Sequence, residues 1–159
     1  MARWCLRLVC VVLASVTLSC ASLPPKQVAT VDVQQVEKLL GTVQDSATAL
    51  CLPNPPTHCT SSVNLFTDAS WHALNVALIA AFNAQVQLAT ALRAWTPGTG
   101  TAPSVAAITT QVQAIVAAVQ ALPVGAQEAQ LLAQAQAVLT EIATVSALIQ
   151  QAQSSAAGS

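Results

Sequence analysis

SVAAITTQVQAIVAAVQALPVGAQEAQLLAQAQAVLTEIATVSALIQ, residues 104–150, carries the cleanest hydrophobic period in this chain. Val105, Ile108, Val112, Ile115, Val119 and Leu122 recur at spacings of three, four, three, four and three. That is a heptad seam, and it puts all six on one face of a helix. After Pro123-Val124-Gly125, Leu131, Ala135, Val138, Ile142, Val145 and Ile149 continue at four, three, four, three and four. So short a connection returns the second helix antiparallel to the first. The two segments match in composition and period, as an internal duplication would.

Upstream, TPGTGTAP at 96–103 is the strongest loop signal in the chain. Before it, a periodic segment opens near Ser62 or Thr67 and runs to about Trp95, with Thr67-Asp68 as a candidate cap. Trp71, Leu74, Leu78, Phe82, Ala89 and Leu92 mark its expected buried stripe. A first helix is expected from Val31, with Asp32 and Gln35 as a capping pair. Its apolar face is Val36, Leu39, Leu40, Val43, Ala47 and Leu50, and Pro53, Pro55 and Pro56 end it. The fold class is therefore all-α, an up-and-down four-helix bundle over residues 31–152 with a flexible tail at 153–159. The alternative is a three-helix core with the first helix loosely docked.

Composition narrows the function. Charged residues are 7% of the 159-residue chain. After Cys20 the basic residues are Lys26, Lys38 and Arg93, against Asp32, Glu37, Asp45, Asp68, Glu128 and Glu141, a net charge of −3. Nucleic-acid binding needs clustered lysines and arginines to displace counterions, so no nucleic acid is expected as a partner. Solubility rests instead on Gln, Thr, Ser and Asn. Phe66, Trp71, Phe82 and Trp95 are the only aromatics beyond the N-terminal segment, a poor supply of rigid anchors for a small-molecule pocket.

The N-terminal segment reads as an address. Arg3 and Arg7 precede an apolar run from Leu8 to Leu18, the charge-then-apolar order of an export signal. A spanning helix needs roughly 20 apolar residues, about twice this run. Val16-Thr17-Leu18-Ser19-Cys20 resembles the lipobox of bacterial lipoproteins. Ser19 and Cys20 match it well, while Leu18 lies one place closer to the cysteine than the common pattern. The resemblance implies a signal peptide at 1–19, removed to leave an acylated Cys20 followed by a spacer to residue 30. Ala21 follows where the family uses Asp for inner-membrane retention, which implies the outer membrane in a Gram-negative host. The alternative is an ordinary signal cut after Ala21. Pro24-Pro25 favours an extended spacer.

An exported chain meets an oxidising compartment, and there Cys51 and Cys59 are expected to form a disulfide. The alternatives are a redox switch or a metal site with His58, although zinc usually takes four ligands. His72 lies four residues after Asp68, a spacing that brings side chains together, but Ser70 between them faces elsewhere. Glu128 and Glu141 belong to no Glu-x-x-His pattern of the di-iron bundles. Gly98 and Gly100 lack the lysine and spacing of a phosphate cradle. No catalytic residue, metal ligand or cofactor is therefore assigned.

Ala73–Leu92 is 20 residues without a charge. Its eight large apolar residues favour insertion by roughly 2.5–5 kcal/mol in total. Asn75, Asn83, Gln85 and Gln87 offset this at an assumed ~1–2 kcal/mol each, so a buried bundle helix is expected. The leading expectation is a non-enzymatic envelope lipoprotein with a protein partner and a membrane anchor. A membrane-active helical protein and a carrier of an apolar ligand are the alternatives.

Overall fold

The computed structural model describes residues 23–50 and 66–158. Among them stand four α-helices: α1 (Pro25–Leu50), α2 (Asp68–Ala94), α3 (Ala106–Gln120) and α4 (Ala126–Ala157). No β-strand occurs among these residues, only an isolated bridge between Thr96 and Thr99. α1 packs on α2 and α4, and α3 packs on the same two helices, which closes the ring of an up-and-down four-helix bundle. The loosely docked first helix is overturned. Val33, Leu40 and Val43 of α1 are fully buried, and α1 against α4 is the most extensive contact in the bundle.

Both heptad seams form the core as expected. Ile108, Val112, Ile115, Val119 and Leu122 are buried opposite Leu131, Ala135, Val138, Ile142, Val145 and Ile149. Val105 is half-buried at the entry to α3. The two helices differ in length: at 1.5 Å per residue α3 spans about 22 Å and α4 about 48 Å. The C-terminal half of α4 therefore outruns α3 and is covered by the loop 96–105. The Gly98 N–H donates to Gln153 Oε1 at 3.4 Å.

Two boundaries need correction. The spacer to residue 30 is not extended throughout, because α1 begins at Pro25. Proline suits a first helical position, where its missing N–H would be unused, and the Pro24 carbonyl accepts from the N–H groups of Gln27 and Val28. Asp32 consequently lies about two turns inside α1 and caps nothing. The expected tail at 153–159 is helical as far as Ala157. Ala152 is buried, and the Ser154 and Ser155 hydroxyls donate back to the Gln151 carbonyl.

The start of α2 is fixed by its sequence. Thr67 Oγ1 accepts from the Ser70 N–H at 3.2 Å, and Ser70 Oγ accepts from the Thr67 N–H at 2.9 Å, a reciprocal capping box. Phe66 just before the cap packs edge-on against Trp71, with ring centroids 5.3 Å apart. That pair is a hydrophobic staple setting the angle at which the chain enters the helix. The other start considered, Ser62, lies outside the described residues, as do Pro53, Pro55 and Pro56.

Candidate functional site

The inner seam of α2 departs from the expected stripe. Trp71, Leu74, Leu78 and Leu92 are buried as expected, but between Leu78 and Leu92 the seam runs through Ala81, Gln85 and Leu88. Phe82 and Ala89 are only half-buried and turn toward the α1 side. There they line an open groove of about 480 Å³ with Gln34, Glu37, Gly41 and Arg93. Gly41 leaves room, since a Cβ there would meet nothing within 4 Å. Gln85, 3% exposed, donates from Nε2 to the Val33 carbonyl at 3.2 Å and to Glu37 Oε2 at 3.5 Å.

The opposite face of the same helix carries large side chains of its own. Val76, Ile79 and Val86, which the expected stripe does not include, are 53%, 62% and 59% exposed. With His72, Asn83, Thr90 and Arg93, all exposed, they fall at spacings of four, three, four, three, four and three. This row points outward, with Val76, Ile79 and Val86 grouped about Asn83 and polar residues at its two ends. The row is visible in the sequence as spacing, but only three of its seven positions are apolar.

Lys26 reaches from the start of α1 to the end of α2, where Nζ donates to the carbonyls of Trp95 and Arg93. A cation there satisfies carbonyls left open at a helix C-terminus and opposes their negative dipole end. Trp95 is buried against this end, its Nε1 without a hydrogen-bond partner. A second groove, of about 570 Å³, runs between the loop at 102–106 and α4, lined by Pro103, Val105, Ile149 and Gln153. It holds no charged side chain.

The remaining sequence-marked residues do not converge. His72 and Asp68 are exposed on the first turns of α2, and the Ser70 hydroxyl is occupied in the capping box. Glu128 and Glu141 stand far apart along α4. Burial raises the pKa of Glu141, and the charge of Asp32 on α1 raises it further. Burial raises Asp32 as well. Gly98 and Gly100 have φ of 83° and 88° and serve the turn. Pro97-Gly98 occupies its centre, and the Thr99 N–H bonds to the Thr96 carbonyl. Among the described residues no group of three His, Cys, Asp or Glu side chains is placed to hold a metal. Cys20, Cys51, His58 and Cys59 lie outside the described residues. Compared with known protein families, curated proteins and solved structures, the chain matches none.

Proposed function

We propose that this chain is an exported, lipid-anchored envelope protein whose work is docking rather than catalysis. The observation that carries the docking part is the outward seam of α2, where Val76, Ile79 and Val86 stand in water on a helix already packed on its inner face. Large aliphatic side chains exposed along one face of a helix offer apolar surface to a partner. The anchor rests on Leu18-Ser19-Cys20 after an apolar run. Multiple acyl chains on Cys20 hold a protein stably, since each buried methylene contributes about 0.8 kcal/mol. Ala21 favours the outer membrane of a Gram-negative cell, with the bundle facing the periplasm. The start of α1, the loop at 96–105 and the end of α4 share one end of the bundle, so that end faces the lipid and the α2 seam rises away from it.

The test is the intact mass of protein extracted from membranes, with non-reducing peptide mapping. The mass should exceed that of a chain starting at Cys20 by several acyl groups, and Cys20→Ala should release the protein or block its processing. A fragment joining Cys51 to Cys59 is expected in the same sample. A soluble product starting at Ser22 would end the lipoprotein reading, and free thiols at both cysteines would end the disulfide.

A membrane-active role has one specific observation in its favour. α2 and α4 are long and apolar enough to cross a bilayer, with mean hydropathies of 1.3 and 1.4 over their best windows. Leakage of lipid vesicles on addition of the folded protein is its test. The carrier role would use the uncharged groove beside α4, and an apolar ligand retained through purification would support it.

A further inference from the structure

We infer that the outward seam of α2 binds a second copy of this chain, in parallel and in register. The inference rests on the docking reading above and names its partner. The row spans His72 to Arg93, and its aliphatic positions Val76, Ile79 and Val86 lie on both sides of Asn83, so a parallel copy in register sets like side chains against each other. Val76, Asn83 and Thr90 take one heptad position, and His72, Ile79, Val86 and Arg93 take the other. Ala73, Ala80, Gln87 and Ala94 flank one side, small or neutral side chains that let a second helix axis approach. No formal charge lies between Asp68 and Arg93, so two copies meet without repulsion along most of the seam. A partner chosen by charge would find little to hold there.

Asn83 decides the occupant. It sits at the middle of the seam, between Ile79 and Val86. Beneath lipid or an apolar helix its amide would lose water without gaining a partner, a costly outcome. Against its own counterpart, the amide N–H of one copy donates to the amide oxygen of the other. A single asparagine at such a position is a known means of fixing register and a two-stranded state. Two copies anchored at the same end on one membrane also stand parallel, which is the arrangement that brings Asn83 to Asn83.

Area sets the strength. A seam of 22 residues is roughly 33 Å long and about 10 Å wide, so each copy covers roughly 330 Å². The total falls well short of the ~1,200 Å² at the low end for stable complexes. Association is therefore weak for the free protein and becomes effective on a membrane, where tethering raises the local concentration.

The experiment places a thiol on the seam of the full-length chain in its native membrane. Val86→Cys should give a disulfide-linked dimer on a non-reducing gel, at least tenfold above Gln113→Cys on the exposed face of α3. Adding Ile79→Lys should reduce that dimer at least tenfold while leaving the melting temperature within a degree or two. A dimer yield equal to that of Gln113→Cys would overturn the second copy. A benzophenone carried on the Val86→Cys thiol then separates the two failures. A crosslink to a different protein refutes self-association and leaves the docking reading standing. A crosslink to lipid alone, within one chain, or to nothing refutes both.

Discussion

Asp32 and Glu141 show how few charges this bundle tolerates near its seams. Both are half-buried, on α1 and α4 respectively, and desolvation is the first cause of their raised pKa values. Burial favours the neutral acid, so the folded chain binds protons at these sites more readily than the unfolded chain does. The stability difference follows the protons. As pH falls from neutrality through the raised folded values toward the ordinary 3.8 and 4.5, these two groups add stability. The same contribution is lost as pH rises back through the folded values. Asp32→Asn should therefore raise the melting temperature at pH 7 and flatten its dependence on pH, because it also removes the charge acting on Glu141. Thermal melts at pH 4.5 and 7 check this, and an unchanged pH dependence in the variant would refute it. Gln85 is the contrasting case. Neutral, and bonded to the Val33 carbonyl, it sits in the interior with no titration to control.

α2 is the element that the sequence described least completely. Its start was legible only as a choice between Ser62 and Thr67, and the Thr67–Ser70 capping box with Phe66 packed on Trp71 marks Thr67 as the cap. Thr67→Ala should cost about 0.5–2 kcal/mol, read as a lower urea midpoint with an unchanged slope. No loss would mean that the staple alone sets the helix start. Its inner face was half legible, because alanine and glutamine at 81 and 85 carry no hydrophobic signal of their own. They are buried because α1 crosses there, a tertiary fact that periodicity cannot supply. Its outer face went unmarked, because Val76, Ile79 and Val86 stand among Asn75, Asn83 and Gln87 and figure in the sequence only as part of an uncharged stretch. The α1 start hid behind Pro24-Pro25, read as an extended spacer although proline is well suited to a first helical turn. The seams of α3 and α4 were legible almost residue by residue, since their large side chains recur at heptad spacing and are buried as expected.

At the scale of the whole molecule, a chain with 7% charged residues must separate the apolar surface that folds it from the apolar surface it displays. The bundle does so by giving α2 two seams and α3 one. Every large residue in the α3 seam is buried from Ile108 to Leu122, with Ile115 wholly inaccessible. Truncating that side chain leaves a cavity between α3 and its neighbours, so Ile115→Ala should cost about 2–5 kcal/mol. Gln113 and Gln120 are exposed on the same helix, and alanine at either should change stability by no more than about 0.5 kcal/mol. Ile79→Lys on α2 belongs with these two surface variants, although it replaces an equally large hydrophobe. Urea unfolding of the four variants separates core from display surface in one measurement. Should Ile79→Lys destabilise the monomer as much as Ile115→Ala, the outer seam of α2 is part of the fold and offers no partner surface. If instead only Ile115→Ala falls, the apolar face of α2 is dispensable for folding and is left for association.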